Sequence, residues 1–348
     1  MDQIQFVKDK HLKYLNTYTD TTNGEELIFN ETLKMRGVFY YICSCKILSH
    51  EIEKKEEFIN FILQCQNPDG GFSNNKSHDS NIVSTHYAIL SLLLLNHPFD
   101  GINPYFHSLN PPHDGDNSPK NITDSTAEYI LSLLNEDGSF KGDIWGEVDV
   151  RFACSAVSCL TILNRLSLVS RDKIASYVLT NYSICQNGFS WTSGNEPHAA
   201  SVFCAVVTLF LIEKLHLINE EKIGEWLSLR QTNSGGFNGR AEKLSDTCYA
   251  WWIYSSLIIL GKYKWVNKNA LKNYILLCQD LKTGGISDNP DCLPDICHTF
   301  FGLAALSLID NLHGADGRLN LRLVHPVYAI PLDVVRERGL PHPDVETG

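Results

Sequence analysis

The stretch TNSGGFNGRAEKLSDTCYAWWIYSSLIIL, residues 232–260, contains a glycine turn followed by a long apolar segment. The turn ends at Phe237, and the segment from Cys248 to Leu260 is apolar on nearly every side when it is drawn as a helix. A helix with that pattern is surrounded by protein. The stretch therefore predicts a turn that leads into a buried, inner helix.

The same turn recurs along the chain, and its last residue marks each repeat. An amphipathic segment precedes the turn, as in the stripe that starts at Leu271 after the N-cap residue Asn267. Such a segment predicts an outer helix with one buried face. Successive markers lie 49, 48 and 49 residues apart. These markers are Phe140, Phe189, Phe237 and Ile286. The period predicts an array of helix pairs.

The repeats predict helices over most of the chain, and no strand is needed. Outer helices are predicted at 124–135, 171–186 and 219–231 and after Asn267, and inner helices at 149–166, 198–215 and 246–261. An earlier turn ends at Phe72, between predicted helices at 52–65 and 82–95. Its marker lies 68 residues before Phe140, so the extra residues are expected in a surface loop at 97–121.

Five or six such pairs can close into an α/α barrel, also called an α/α toroid, or continue as an open solenoid. We favour the closed form, because the aromatic residues of the inner helices suit the wall of a wide cavity. The expected organisation is one all-α domain over residues 1–348. It has an N-terminal segment at 1–20 and a C-terminal tail at 312–348.

Composition is that of a globular protein, with 43% hydrophobic and 20% charged residues. The net charge of −11 argues against nucleic acid as the main partner. The N-terminus is too polar for a signal peptide, and the most apolar run, 202–212, is too short to span a bilayer. We expect a cytoplasmic protein whose eleven cysteines are reduced, with Cys154, Cys159 and Cys204 among the packing residues.

A potential catalytic group stands nine residues after each of the four markers. These groups are Asp149, His198, Asp246 and Asp295, and two or three residues further on come Arg151, Cys248, Tyr249 and His298. A fold that repeats every 49 residues is expected to bring them onto one rim of one cavity. That layout is typical of an active site.

One set on this rim suits Zn²⁺. Asp246, Cys248 and His298 offer a carboxylate, a thiolate and an imidazole, which leaves a fourth position for water or substrate. Cys248 and His298 stand 11 and 12 residues after their markers on adjacent inner helices. The alternative is that Asp246 caps its helix, Cys248 packs and His298 is an ordinary residue at a helix start.

A second set is basic and suits a phosphate or diphosphate. It comprises His198, Arg240, Lys243 and Tyr249, whose donors could also stabilise charge on a leaving group. The alternative is a solvated loop that carries two surface cations.

Four stretches carry a resemblance to a known family. They are DGSFKGDIWGEVDVRF (137–152), NGRAEKLSDTCYAWW (238–252), GGISDNPDCLPDICHTFFGLAALSL (284–308) and HPVYAIP (325–331). The chain resembles the β subunits of protein prenyltransferases from about residue 15 to residue 334, and most closely that of Rab geranylgeranyltransferase, the type II enzyme. The resemblance implies an α-α barrel with an aromatic lipid funnel and a helical α subunit that is required for activity.

The resemblance also implies roles for single residues. Asp246, Cys248 and His298 match zinc ligands, and His198, Arg240, Lys243 and Tyr249 match residues that bind the lipid diphosphate. Tyr40, Trp251 and Trp252 match the lipid funnel, whereas Arg151 and Asp295 match rim positions of open role. The implied reaction transfers geranylgeranyl from geranylgeranyl diphosphate to C-terminal cysteines of Rab GTPases, which an escort protein presents.

Three positions leave details open. Arg36 and His86 stand where the type II family has a small and an aliphatic residue. Either the funnel floor is rebuilt, or the matching positions lie one or two residues away, or the preferred lipid length differs. Asp288 matches a magnesium-binding carboxylate of farnesyltransferases, which leaves a role for Mg²⁺ open; the alternative is a solvated turn residue beside Asn289 and Pro290.

Three other functions compete with this interpretation. A type I or farnesyl enzyme acts on single-cysteine CaaX tails, but the block DIWGEVDVRF favours type II. A terpene cyclase of the protonating kind needs a DxDD cluster, which the sequence lacks. A catalytically inactive toroid could act as a binding module, and the intact zinc and diphosphate sets argue against it.

Overall fold

The computed structural model of the chain describes residues 5–19, 31–101, 103–105, 121–312 and 319–343. Within these ranges most residues are helical, as the repeat predicts. Thirteen α-helices are present there: α1 (Lys8–Thr19), α2 (Lys34–Ile47), α3 (Lys55–Gln64), α4 (Ile82–Leu94), α5 (Ile122–Ser132), α6 (Val150–Ile162), α7 (Arg171–Thr180), α8 (Ala199–Leu211), α9 (Glu220–Ser228), α10 (Cys248–Ile259), α11 (Lys268–Leu277), α12 (Ile296–Asn311) and α13 (Leu332–Glu337). Three short 3₁₀ segments, Leu166–Leu168, Leu215–Leu217 and Tyr263–Trp265, follow inner helices.

A small β-hairpin corrects the expectation that no strand would occur. The outer helix predicted at 171–186 ends at Thr180, and β1 (Tyr182–Ser183) then pairs antiparallel with β2 (Gly188–Phe189). The other repeats have single β-bridges at the same place. Each bridge joins a marker to a residue six or seven positions earlier: Gln66 to Phe72, Leu134 to Phe140, Gln231 to Phe237 and Gln279 to Ile286. Each outer helix therefore stops early, because its last residues bend back to pair with the marker.

The chain divides into two compact units. The first comprises Met1–Thr22, Tyr40–Glu51 and Thr180–Gly348, and the second comprises Asn23–Phe39 and Ile52–Leu179. In the first, α10 packs between α8 and α12, while α9 lies against α10 and α11 against α12. This is the predicted plan of inner helices covered by outer ones.

The second compact unit has the same plan. Its inner helices α4 and α6 pack together, with α3 against α4 and α5 against α6. Most of the predicted surface loop at 97–121 lies outside the described residues. Asn103, which is described, is buried and donates to the carbonyl of Leu63 and the side chain of Gln66. The expectation of a single domain over 1–348 stays a prediction.

The turns are glycine-rich because they press against the backbone of the following outer helix. Gly235 has a φ of +91°, and a Cβ there would lie 2.5 Å from the carbonyl oxygen of Ala270 on α11. A Cβ at that distance would clash with the carbonyl oxygen, so the position requires glycine. The turn also buries its marker completely, and Phe237 has no exposed surface.

Both ends of the described chain pack within the first compact unit. The N-terminal segment forms α1, where His11 Nδ1 accepts the N–H of Gly285 at 3.0 Å. Helix α1 thus packs on the turn of the last repeat. In the C-terminal tail, Arg322 N–H donates to the carbonyl of Ile47 on α2 at 2.9 Å. Residues 313–318 and 344–348 of that tail lie outside the described residues.

All eleven cysteines fall within the described ranges, and each is a free thiol. Cys154, Cys159 and Cys204 are buried, as expected for packing residues. Among the described helices, none is long and apolar enough to cross a membrane.

Candidate functional site

The ninth residue after each marker caps the inner helix that follows it, except that in α10 the N-cap position is Thr247, one residue after Asp246. The side chain of the ninth residue accepts a backbone N–H from the first turn of the inner helix, as N-cap residues do. This holds in five repeats, for Asn81, Asp149, His198, Asp246 and Asp295. The ninth position therefore has a structural role in every one of these repeats. Whether its side chain also takes part in binding or catalysis depends on the side chains around it.

Hydrogen bonding explains why the spacing is nine. In four of the five repeats the backbone N–H of the capping residue donates to the carbonyl of its own marker, so the loop between them has a fixed span. The distances are 3.1 Å for Asn81 to Phe72, 3.0 Å for His198 to Phe189, 3.0 Å for Asp246 to Phe237 and 3.3 Å for Asp295 to Ile286.

Asp246, Cys248 and His298 form a compact cluster in the first compact unit. One ligand atom from each, a carboxylate oxygen, Sγ and an imidazole nitrogen, lie within 4.8 Å of one another. Cys248 begins α10 and His298 lies in the first turn of α12, and these helices are neighbours. Asp246 Oδ1 also accepts the N–H of Cys248 at 2.7 Å. The capping alternative for Asp246 and the cluster are therefore compatible.

Asp295 orients His298. Its Oδ2 lies 2.5 Å from Nδ1 of the imidazole, and its Oδ1 accepts the backbone N–H of His298 at 2.9 Å. The other ring nitrogen, Nε2, lies 3.3 Å from Asp246 Oδ1 and so faces the cluster. A carboxylate behind a ligating histidine fixes the ring and its tautomer. Asp295, whose role the sequence left open, is thus a positioning residue for His298.

The electrostatics of the cluster favour a cation. Burial lowers the pKa of His298, but hydrogen bonds to the carboxylates of Asp246 and Asp295 outweigh it and raise the pKa to about 10. Burial and the neighbouring Asp246 carboxylate raise the pKa of the Cys248 thiol well above its usual value. Both shifts mean that the buried site stabilises positive charge and disfavours further negative charge. A thiolate, a carboxylate and an imidazole nitrogen are ligands that Zn²⁺ accepts, so the residues present fit this ion.

The basic set lines a cavity of about 640 Å³ in the same compact unit. His198, Arg240, Lys243 and Tyr249 all contribute to its wall, together with Asp246 of the metal cluster. Asp246 is the member of the metal set that lines this cavity, so the two predicted sets adjoin at the start of α10. Seven other lining residues were not predicted as site residues: Trp191, Asn195, Glu196, Gly239, Leu244, Ser245 and Asn289.

His198 and Tyr249 present hydrogen-bond donors to this cavity. His198 Nδ1 accepts the N–H of Ala200, so the neutral ring carries its proton on Nε2, which lies 3.2 Å from Tyr249 Oη. Burial and the nearby Arg240 lower the pKa of His198, which keeps the ring neutral. Burial raises the pKa of Tyr249 to about 12, so that its hydroxyl remains protonated.

The two cations differ in their surroundings. Arg240 is paired with the carboxylate of Glu196 at 2.5 Å, and both side chains are about half exposed, at 43% and 46%. An anionic ligand therefore competes with Glu196 for Arg240. Lys243 is exposed and makes no ion pair among the described residues. Glu196 lies two positions before His198. Its place in the sequence beside a member of the basic set could have identified it as a lining residue.

Gly239 brings this loop against Tyr249. A Cβ at residue 239 would lie 2.4 Å from the Tyr249 ring, so only glycine fits there. The carbonyl of Gly239 also accepts the N–H of Ala199 at the start of α8 at 2.8 Å. These contacts hold the Arg240 loop between α8 and α10.

Aromatic side chains pack in a row within the first compact unit. Tyr40 stacks on Phe300 with ring centres 4.9 Å apart, and Trp252 contacts Phe301 at 4.6 Å and Phe203 at 4.9 Å. Trp252 is half-buried, whereas Trp251 is only 1% exposed and packs in the core. Phe203, Phe300 and Phe301 were not named as funnel residues, although their apolar helices contained them. Lipid contact for Tyr40, Trp251 and Trp252 stays a prediction.

Asp149 and Arg151 belong to the second compact unit. They form an ion pair at 2.5 Å, and Asp149 caps α6. Arg36 and His86 also lie in that unit. The Arg36 guanidinium lies 5.7 Å from the centre of the Tyr87 ring, and His86 Nε2 is 2.9 Å from Ser158 Oγ. Burial lowers the pKa of His86 to about 4. Arg36 thus makes a cation–π contact and His86 a hydrogen bond within this unit.

Asp288 lies on the loop before α12. Its Oδ1 accepts the N–H of Asn289 at 2.9 Å, and its carbonyl accepts the N–H of Thr247 at 2.7 Å. The second bond ties this loop to the residue between Asp246 and Cys248. A role of Asp288 in binding Mg²⁺ stays a prediction.

Comparison with known proteins finds a family match over most of the chain. The family described as prenyltransferase alpha-alpha toroid domain matches residues 6–330. The geranylgeranyl transferase type-2 subunit beta of Saccharomyces cerevisiae is 35% identical over 336 residues, which is 95% of this chain and 96% of the relative. The geranylgeranyl transferase type-2 subunit beta 1 of Arabidopsis thaliana is 37% identical over 333 residues, 95% of each.

A solved structure is similar in fold. The structure named Candida albicans protein geranylgeranyltransferase-I complexed with GGPP superimposes with a TM-score of 0.77 and 22% identity. The match covers 96% of this chain and 98% of that one.

Proposed function

Because the chain belongs to the prenyltransferase alpha-alpha toroid family, we propose that it is the catalytic β subunit of a protein geranylgeranyltransferase of type II. It transfers geranylgeranyl from geranylgeranyl diphosphate to C-terminal cysteines of Rab GTPases. The observation that carries the proposal is the meeting of the metal cluster and the basic cavity at the start of α10, where Asp246, Cys248 and Tyr249 lie within four consecutive residues. The names of the yeast and plant relatives support type II.

Asp246, Cys248 and His298 would hold one Zn²⁺, with Asp295 behind the histidine. When bound, Zn²⁺ lowers the pKa of a coordinated thiol, and this supplies a thiolate at neutral pH. These three residues would leave the ion accessible to the thiol of the acceptor cysteine. Mg²⁺ at Asp288 is a second candidate cofactor.

The basic cavity holds the lipid diphosphate. Lys243 and Arg240 supply positive charge, and the hydroxyl of Tyr249 and Nε2–H of His198 donate hydrogen bonds to the phosphate oxygens. In the reaction the acceptor sulfur forms a bond to C1 of the isoprenoid while the bond from C1 to the diphosphate oxygen breaks. The four donors stabilise the charge that develops on the departing diphosphate. Glu196 releases Arg240 when the diphosphate binds.

The aromatic row is the natural place for the isoprenoid chain. Tyr40, Phe301 and Trp252 form an apolar cluster in the compact unit that holds both sets, and its accessible surface is mainly that of the half-buried Trp252. An apolar chain gains about 25 cal/mol per Å² that it buries on such a surface.

The partners follow from the proposed activity. The relatives are named as β subunits, so we propose that this chain acts in a heterodimer with an α subunit. Its protein substrate is a Rab GTPase presented by an escort protein, and its location is the cytoplasm.

One experiment tests the function. The chain is co-expressed with the α subunit, its bound zinc is measured, and transfer is followed from geranylgeranyl and farnesyl diphosphate to an escort-bound Rab with two C-terminal cysteines. A single-cysteine CaaX peptide serves as the competing acceptor, and each reaction is run with and without Mg²⁺. We expect transfer of geranylgeranyl to the double-cysteine tail. Preference for the CaaX peptide would instead identify a type I or farnesyl enzyme.

A further inference from the structure

The tip of the turn after the marker differs in one repeat. In every repeat the fourth and fifth residues after the marker form this tip. Four of the five tips are small, polar or proline-containing, and one carries two large apolar side chains. In chain order the tips are Lys76-Ser77, Ile144-Trp145, Ser193-Gly194, Ala241-Glu242 and Pro290-Asp291.

The apolar tip is strongly exposed. Ile144 is 66% exposed and Trp145 is 77% exposed. Single apolar residues are common on protein surfaces. Two large apolar side chains side by side on a loop are unfavourably exposed to water, and burying them against a partner would lower the free energy. Tryptophan is also among the residues that most often dominate binding at protein interfaces.

The exposure is built into the turn. Asp143 Oδ1 accepts the N–H of Trp145 at 2.9 Å, which holds the tip in place. In the other four repeats the fifth residue has a positive φ, whereas here Gly146, the sixth, has a φ of +91°. A bulky residue rarely adopts a positive φ. Because Gly146 has the positive φ in this repeat, the fifth position can be tryptophan. The turn therefore presents Trp145 outward in a defined position.

An acidic cavity adjoins the tip in the same compact unit. Its volume is about 360 Å³, and its lining includes Ile144, Asp69, His78 and Asp79. None of the residues that line it is a lysine or arginine. Asp69 is engaged by the N–H of Gly71 and the hydroxyl of Ser80, but Asp79 is exposed.

The tip itself is flanked by acids. Asp143 and Glu147 stand on either side of Ile144 and Trp145, while Lys141 and Lys76 are the basic residues of the two loops. Apolar tip and acidic cavity share Ile144. A complementary partner therefore has an apolar recess that accepts Trp145. Beside that recess it has a lysine or arginine whose side chain enters the acidic cavity.

We propose that the Ile144–Trp145 tip and the adjoining cavity of Asp69 and Asp79 are a docking surface for the companion α subunit. The inference rests on the proposed function, because the relatives are named as β subunits and a second chain is expected. It goes further by assigning a surface to that chain and the chemistry of the matching face.

The test measures assembly of the heterodimer. The double variant Ile144→Ser with Trp145→Ser gives this tip the polar character found in the other repeats, so it should fold normally. We expect it to raise the Kd for the α subunit by about 30-fold or more, the usual effect of losing a dominant interface residue. Asp79→Lys should also weaken assembly, and more so at low salt.

The control is Ile184→Ser, because Ile184 is 83% exposed on the β1–β2 hairpin turn and lies in the other compact unit. Its Kd should stay within about twofold of the original chain. Circular dichroism and Tm of each isolated variant check the fold. Tryptophan fluorescence gives a second readout, since the blue shift on assembly should shrink in Trp145→Phe.

Wild-type Kd in the double variant would overturn the proposal. So would normal assembly with loss of transfer to the Rab acceptor, since the tip would then bind the protein substrate. These outcomes leave the proposed function standing. Conversely, a heterodimer that assembles through this surface but transfers no isoprenoid would disprove the function and keep the docking surface.

Discussion

At the scale of single residues, Asp246 serves two purposes. One carboxylate oxygen accepts the N–H of Cys248 and so begins α10, and the same carboxylate lies in the cluster with Cys248 and His298. A capping carboxylate has spare lone pairs, so capping does not prevent it from binding a metal. A capping carboxylate of the repeat thus becomes a candidate metal ligand when a thiol and an imidazole lie near it, as they do at Asp246.

Cys248→Ala tests the metal ligand. We expect the variant to lose bound zinc and protein prenyl transfer, because two remaining ligands hold the ion poorly. Zinc content and single-turnover transfer measure the two effects. Cys292→Ala is the control, since that thiol is exposed and lies outside the cluster. Full activity of Cys248→Ala would show that the assignment of the site is wrong.

Asp295→Asn tests the positioning of His298. The asparagine oxygen can still cap α12, but it no longer provides a charged acceptor for Nδ1–H. We expect zinc affinity to fall by about 10- to 100-fold, as measured by competition with a chelator. The control variant Asp149→Asn removes the same charge from the capping position of another repeat, and the zinc affinity of this variant should equal that of the original chain. Equal affinities in both variants would contradict the role of Asp295.

At the scale of the elements, the turn between outer and inner helix sets the geometry of each repeat. A buried marker pairs backward to the end of the outer helix, and in four of the five repeats its carbonyl accepts the N–H of the capping residue. Periodicity predicted the helix pairs, but it missed the β1–β2 hairpin. The last residues of an outer helix keep their apolar pattern after the backbone has left the helix, so pattern alone placed its end too late.

Gly235→Ala tests the close approach of the turn to α11. The substitution combines strain at a φ of +91° with a Cβ 2.5 Å from the Ala270 carbonyl oxygen. We expect a loss of unfolding free energy of at least about 2 kcal/mol. Gly194→Ala is the matched control, with a φ of +85° and no atom within 4 Å of the added Cβ. It should cost only about 1 kcal/mol. Denaturant titration compares them, and equal losses would rule out the steric contribution.

At the scale of the whole molecule, the predicted α/α toroid is confirmed by the family match over residues 6–330. The two compact units have the same arrangement of inner and outer helices, while the metal cluster and the basic cavity belong to the first. The function of each repeat therefore depends on the side chains at its loop, since the backbone plan is shared.

Two buried histidines predict how stability depends on pH. Burial lowers the pKa of His11 to about 4 and that of His325 to about 3. The unfolded state, with a histidine pKa near 6.5, binds more protons below that pH, so stability falls as the pH drops. The expected loss at pH 5 is about 2 kcal/mol per histidine. Unfolding free energies at pH 7 and pH 5 measure it.

The control for this prediction is a pair of single variants, His11→Gln and His325→Gln. Each should unfold more easily at pH 7 but lose less stability between pH 7 and pH 5 than the original chain does. An unchanged pH dependence in both would show that other groups are responsible.

The sequence by itself determined the helix pairs, the inner and outer roles of the helices and the two sets of side chains at the start of α8, α10 and α12. It could do so because one local turn, repeated at a near-constant spacing, fixes where each inner helix begins. Only the tertiary structure decided that Asp295 orients His298, that Glu196 engages Arg240 and that Trp251 packs in the core. These contacts depend on how side chains from separate loops and helices approach each other, which no local pattern encodes.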